Sequence, residues 1–222
     1  MKKDFDFHLA SCIHDMKNAI SLILNSIEQL NTDSQKDTQL HLANLNYEAS
    51  RLNNDLIHLL GVYRLGSDHL HVVIDEHNIW DVVNEQYLKN EPLLQKYNID
   101  LEIHGDEEQD WFFDPDLVAS IINNIIVNTV RYTKSKIIIN IEEIESFLQI
   151  EICDDGQGYP ENMISNPGET EDNFDFRNGS TKLGLFFASN IAQRHTNNEK
   201  KGCIKLRNGG ELGGGVFTLK LP

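Results

Sequence analysis

Two apolar periods divide this chain, and they fix what it can fold into. Leu9, Ile13, Met16, Ile20, Ile23, Ile27 and Leu30 recur at alternating steps of four and three, which is a heptad seam. Leu42, Leu45, Ala49, Leu52, Leu56, Leu59 and Tyr63 repeat it. Between the two runs lies Asn31-Thr32-Asp33-Ser34-Gln35, a polar turn with helix-capping residues. Residues 5 to 65 therefore predict a helical hairpin. Two helices of this kind bury too little alone, so the natural outcome is pairing with a second copy in a four-helix bundle, a parallel homodimer. An intramolecular coiled-coil arm is the other reading. Gly66-Ser67-Asp68 ends the heptads, and from there helical and alternating segments take turns.

The second region reads as α+β. His71 to Ile74 suggests a strand, and Asn78 to Lys96 a helix with Ile79, Val82, Val83, Tyr87 and Leu94 on its apolar side. Ile99 to Ile103 alternates as a strand, and Asp114-Pro115 opens a helix with Leu117, Ile121, Ile122, Ile125 and Val130 on its core face. Ile137 to Ile141 and Phe147 to Ile152 are strands joined by a polar turn. Residues 159 to 179 are polar throughout, a length that in a compact domain usually marks a functional loop such as a lid. A helix from Thr181 to about Arg194 and two strands, Cys203 to Leu206 and Val216 to Leu221, close the chain around Gly209-Gly210 and Gly213-Gly214-Gly215. The expectation is an N-terminal hairpin over residues 1–65, then an α/β sandwich over 66–222 with helices on one face of a mixed sheet.

Charge and cysteines exclude several classes. The formal net charge of −16 opposes binding to nucleic acid or anionic lipid, whose phosphates it would repel. Cys12, Cys153 and Cys203 are far apart, so neither a disulfide framework nor a structural zinc site is supported. No apolar run approaches the roughly 20 residues needed to span a bilayer, and Met1-Lys2-Lys3 is not followed by an apolar leader, so a cytoplasmic protein is expected.

Three constellations can carry chemistry. The first is Asp154-Asp155-Gly156-Gln157-Gly158, where an alternating strand runs into an Asp-x-Gly-x-Gly turn. It sets a carboxylate at a strand end beside two glycines that let a flat ligand approach the backbone, and that carboxylate can accept from an exocyclic amine such as adenine's. An ordinary hairpin turn is the bland alternative. The second is Asn124 and Asn128, i and i+4 on one face of an apolar helix, with Arg131 one turn on. Buried amides need partners, and a hydrated metal-phosphate group would supply them; helix-surface asparagines are the other reading. The third is His14, which the heptad register points away from the seam, with Asp15 beside it and Asn18 one turn on. An exposed histidine next to a carboxylate can be a nucleophile whose proton the carboxylate takes, or simply a solvated side chain. Gly179 to Leu185 adds backbone amides at a helix start, which attract anions. His69 and His71 lack a third ligand and read as surface residues.

In this order the segments resemble the catalytic core of a bacterial two-component sensor histidine kinase, over essentially the whole chain. His14-Asp15-Met16-Lys17-Asn18 resembles the H-box, and Asn124 to Thr133 the N-box. Asp154 to Gly158 resembles the G1 box, Ser180 to Leu185 the G2 box, and the glycine-rich end through Phe217 and Pro222 the last motif. The resemblance implies a Bergerat (GHKL) ATP-binding domain that uses ATP and Mg²⁺ to phosphorylate His14, with Asp15 as general base. It implies that Asn128 holds Mg²⁺ through ATP, that Asn124 and Arg131 meet phosphate, and that Asp154 binds the adenine amine. Tyr132, Gly156, Gly158, Thr181, Lys182, Leu183 and Gly184 would line the nucleotide. Asn18 stands where the family often orients water for dephosphorylating a response regulator. The sequence departs from the family pattern at Ala19, where proline is usual, and at Lys182, which replaces a G2-box glycine. Phe174-Asp175-Phe176-Arg177 resembles the lid's phenylalanine motif only faintly.

The expected partners are a second copy and the receiver domain of a response regulator. With only 13 residues ahead of His14, the input is expected from a separate sensor protein or a missing sensor segment. Two other functions fit the architecture. A non-catalytic histidine phosphotransferase is disfavoured because Asn124, Asn128, Asp154, Gly156 and Gly158 all remain. An anti-sigma-type serine kinase is disfavoured by the hairpin and His14.

Overall fold

The computed structural model describes residues 71–165 and 179–222 (side chains from Gly184 onward in the latter), together with helical Ile20, Ser21, Ile23, Ile27, Leu45, Ala49 and Leu52. His14, Asp15 and Asn18 lie outside the described residues, as does the expected boundary at 65/66. The chain divides into two compact units, residues 1–70 with 170–184, and residues 71–169 with 185–222. In the first, the described seam residues Ile20 and Ile27 are 47% and 44% exposed. No helix among the described residues is long and apolar enough to cross a membrane.

The second unit begins with β1 (Asp75–Asn78), α1 (Ile79–Tyr97), β2 (Asp100–His104), β3 (Asp110–Phe113) and α2 (Pro115–Val130). The hairpin β4 (Lys136–Ile144) and β5 (Phe147–Asp154) follows, then α3 (Glu161–Ser165) and α4 (Gly179–Arg194), which belongs to this unit from Leu185 onward. The short pair β6 (Thr196–Asn197) and β7 (Lys200–Lys201) precedes β8 (Cys203–Asn208) and β9 (Gly215–Leu221). The expected strand at His71–Ile74 is not one: the strand starts at Asp75 and pairs antiparallel with β3. Part of the polar stretch after Tyr159 is the short helix α3, and α4 starts at Gly179 rather than Thr181.

Local chemistry sets the helix ends. Asn78 caps α1, its side chain accepting from Asp81 N–H, and left-handed Asn98 closes it. Asp114 caps α2 through Leu117 N–H at 3.0 Å, with Pro115 at the first helical position. Glu145 and Ser146 both take positive φ (56° and 59°), which turns β4 tightly into β5.

The main sheet runs β2-β4-β5-β9-β8, with β2 and β4 parallel and the rest antiparallel. Register lines up Ile103, Ile139, Ile152, Phe217 and Leu206 in one row across it. Ile141, Ile150, Leu219 and Ile204 form the next. Cross-strand partners share a face, so these rows make one apolar surface. The helices α1 and α2 pack on each other, α1 reaching β2 and α2 reaching β5. The buried face of α1 is Ile79, Val83, Gln86, Asn90 and Leu94. The Asn90 side chain is engaged, its Nδ2 donating to the Gln86 backbone carbonyl at 2.8 Å and to Asn123 Oδ1 on α2 at 2.9 Å.

Candidate nucleotide site

Period-two alternation delivers the key carboxylate. Leu148, Ile150 and Ile152 face the core, and the next residue of that phase is Asp154, opposite Ile137. The strand that builds the core therefore aims a carboxylate into it, and Asp154 is only 6% exposed. Its Oδ1 accepts from Gly156 N–H at 2.7 Å and Gly215 N–H at 3.2 Å. Its Oδ2 accepts no hydrogen bond among the described residues. Burial raises its pKa above the ordinary aspartate value, partly offset by those two backbone donors. A half-satisfied buried carboxylate is a site for a donor, and an exocyclic amine is one.

Glycines close the backbone around it. A Cβ on Gly156 would lie 2.3 Å from Tyr132 O, and one on Gly214 would lie 2.3 Å from Asp154 O. Gly214 N–H donates to Asp154 O at 3.0 Å, which seats the glycine-rich turn before β9 on the end of β5. Asp155 joins the loop after α2 to the same turn. Its carboxylate accepts from Lys134 N–H (2.8 Å), Ser135 N–H (3.1 Å) and Ser135 Oγ–H (2.6 Å). Although desolvation opposes it, these donors hold the Asp155 pKa down at about 2.

On α2, Asn124 and Asn128 are 6% and 9% exposed, and Asn128 Nδ2 donates to Asn124 Oδ1 at 3.0 Å. Among the described residues this leaves Asn124 Nδ2 buried without a partner and Asn128 Oδ1 without a donor. The expected sharing of one face is what the structure shows. The leftover groups suit the expected ligand: an amide donor for a phosphate oxygen, and a hard carbonyl oxygen of the kind Mg²⁺ takes. Arg131 and Tyr132 are exposed just past α2, the Arg131 guanidinium 6.0 Å from the Tyr132 ring centroid. The unit thus brings Asn124, Asn128, Tyr132, Asp154, Gly156 and Gly158 onto α2, β5 and the turns they share. Thr181, Lys182 and Leu183 fall in the first turns of α4, with side chains outside the described residues, and Gly184 is buried. His71 is exposed and in no strand, and no group of three metal-ligating side chains occurs among the described residues.

Sequence reasoning gave Asp155 no role of its own, read Gly213-Gly214-Gly215 as a turn and as part of the last family motif without tying it to Asp154, and missed Tyr159 and Asn208 as parts of this arrangement.

A mixed sheet under two packed helices, with a buried aspartate at a strand end and an amide pair on α2, is the α/β fold of the GHKL-type ATPases. Residues 113–222 match the family described as histidine kinase-, DNA gyrase B-, and HSP90-like ATPase. The whole chain is 27% identical over 235 residues to the sensor protein SrrB of Staphylococcus aureus and spans 38% of its length. Among solved structures, Acinetobacter baumannii histidine kinase AdeS matches 94% of this chain and 96% of its own at 18% identity, TM-score 0.63. Histidine kinase ThkA in complex with the response regulator protein TrrA matches 96% of this chain and 60% of its own at 19% identity, TM-score 0.58. The family match and the curated relative support the chain as the catalytic core of a two-component sensor histidine kinase, and the solved structures share its fold.

Proposed function

We propose that the chain is an ATP-dependent kinase that phosphorylates its own His14 and passes the phosphoryl group to an aspartate of a response-regulator receiver domain. The observation that carries this is the set of unspent groups in one unit: Asp154 Oδ2, Asn124 Nδ2 and Asn128 Oδ1. Asp154 takes the adenine amine, Asn124 donates to a phosphate oxygen, and Asn128 is the protein's ligand to ATP-bound Mg²⁺. The metal, when bound, offsets charge on the phosphates. The imidazole of His14 attacks the γ-phosphorus, an N–P bond forms, the bond to ADP's oxygen breaks, and Asp15 takes the imidazole proton. Intact amide and aspartate groups favour this over a phosphotransferase without a working nucleotide site.

The domain reading, 1–65 as dimerising phosphotransfer hairpin and 66–222 as ATP-binding domain, belongs to the same proposal, as does a cytoplasmic location. The exposure of Ile20 and Ile27 supports a seam that a second copy covers. The regulator partner is supported by the complex of ThkA with TrrA. Asn18, one turn from His14, would hold a water against the phospho-aspartate, adding phosphatase activity. Radiolabelled ATP with Mg²⁺ tests the proposal. Label should enter the wild type, be absent from His14→Ala, and chase onto an added receiver domain. A wild type that binds ATP yet takes no label, or label surviving in His14→Ala, would refute it. Comparing the decay of phospho-regulator with wild type and with Asn18→Ala tests the phosphatase role, which equal rates would remove.

A further inference from the structure

A contact 49 residues long in sequence bears directly on Asp154. Asn208, the last residue of β8, grips both backbone groups of Tyr159: Tyr159 N–H donates to Asn208 Oδ1 at 2.6 Å, and Asn208 Nδ2 donates to Tyr159 O at 2.8 Å. The preceding residue is fitted to the grip. Gly158 has φ +80°, and a Cβ on it would lie 2.5 Å from Asn208 Oδ1, so only glycine passes under the amide.

The grip determines where the Tyr159 ring goes. Gly215 pairs with Asn208 and shares the sheet face of Phe217 and Leu219, the face onto which Asp154 projects. A Cβ on Gly215 would lie 2.8 Å from Asp154 Oδ2 and 2.9 Å from Tyr159 Cε2. The open carboxylate oxygen and the ring edge therefore converge over one glycine, on one face of the sheet. Burial, with the charge of Asp154 second, pushes the Tyr159 phenol pKa well up, so the ring stands there neutral.

We propose that Asn208 is a positioning residue of the nucleotide site: by clamping the Tyr159 backbone it holds the Tyr159 ring as a wall beside Asp154, against which the base of the bound nucleotide packs. The inference rests on the nucleotide reading above and adds to it a residue that no motif contains. Asn208 touches no ligand. It acts through Tyr159, so its effect must vanish when there is no ring to place.

The test is a double-mutant cycle on the full chain, read by calorimetric titration with ADP and with adenosine, alongside thermal melting. Asn208→Ala should weaken ADP and adenosine binding by the same factor, on the order of tenfold for a lost aromatic packing surface. In a Tyr159→Ala background the same substitution should change affinity less than about twofold, while Tyr159→Phe should bind like the wild type. Tyr159→Ala leaves both Asn208 bonds in place, since they are to backbone, so it remains informative if Asn208→Ala folds poorly. Wild-type affinity in Tyr159→Ala, or an equal loss from Asn208→Ala in both backgrounds, would overturn the inference. No ADP binding by the wild type would overturn the nucleotide reading, and this with it.

Discussion

Acid should loosen the joint between α2 and the end of α4, through His195. That imidazole is 1% exposed, its Nδ1 is 2.9 Å from Ile191 O, and its Nε2 accepts from Asp114 N–H at 3.0 Å. Accepting at Nε2 and donating at Nδ1 describes one neutral tautomer. Burial lowers the His195 pKa from its ordinary 6.5, opposed first by the Ile191 carbonyl and then by Asp114, the charged group facing it. A lowered histidine pKa gives stability that is complete above 6.5 and is lost as pH falls below it, because the unfolded chain takes up a proton that the native site refuses. Going from pH 7.5 to 5.5, the linkage removes up to about 1.4 kcal/mol. In a chain of this size that is a fall in Tm of at most about 3–6 °C. His195→Gln can still accept from Asp114 N–H but cannot titrate, so its deficit against the wild type should shrink by about that amount over the same range. His195→Leu strands a buried N–H and should cost about 1–3 kcal/mol at neutral pH. Urea unfolding of the three proteins at several pH values measures this. A wild-type-to-Gln difference that does not change with pH would refute the reasoning.

Four further outcomes follow from the site and the seam. Asp154→Asn should weaken ADP binding by more than about tenfold, roughly 1.4 kcal/mol, yet leave the unliganded protein as stable as before or more so, because it removes a buried charge; calorimetry and melting read the two separately, and unchanged affinity would take Asp154 out of the site. Since burial raises the Asp154 pKa, wild-type affinity should grow as pH rises through a window starting above the ordinary 3.8, a dependence absent from Asp154→Asn. Gly156→Ala should cut ADP affinity at least about tenfold, because its Cβ would sit 2.3 Å from Tyr132 O and must displace the turn; wild-type affinity by calorimetry would show that the turn yields freely. Light scattering at micromolar concentration should give a dimer, and a monomer would count against the seam.

What the sequence disclosed was what neighbours along the chain decide. The caps Asn78 and Asp114, the β4–β5 hairpin and the phase that aims Asp154 inward all follow from local pattern. What stayed hidden needed distant partners. Asp75-Glu76-His77-Asn78 has no apolar alternation and becomes a strand only because β3 lies beside it. Gln86 and Asn90 had no place on the apolar side the sequence marked out, yet both are buried, Asn90 against Asn123 of a second helix. Tyr159 and Asn208 gave no signal, since neither belongs to a motif and their meeting depends on the order of strands in the sheet.

That order has a consequence for how the protein comes into being. The strand latest in the sequence, β9, is not at an edge but sits between β5 and β8, and its leading glycines complete the cradle of Asp154. During synthesis every other strand of the sheet emerges before the one that joins β5 to β8. Until β9 clears the ribosome, the sheet is two pieces with open edges, and Asp154 lacks the Gly215 amide. A chain stopped before β9 would therefore carry Asn124, Asn128 and the turn after Asp154 and still lack the glycines that close around that carboxylate.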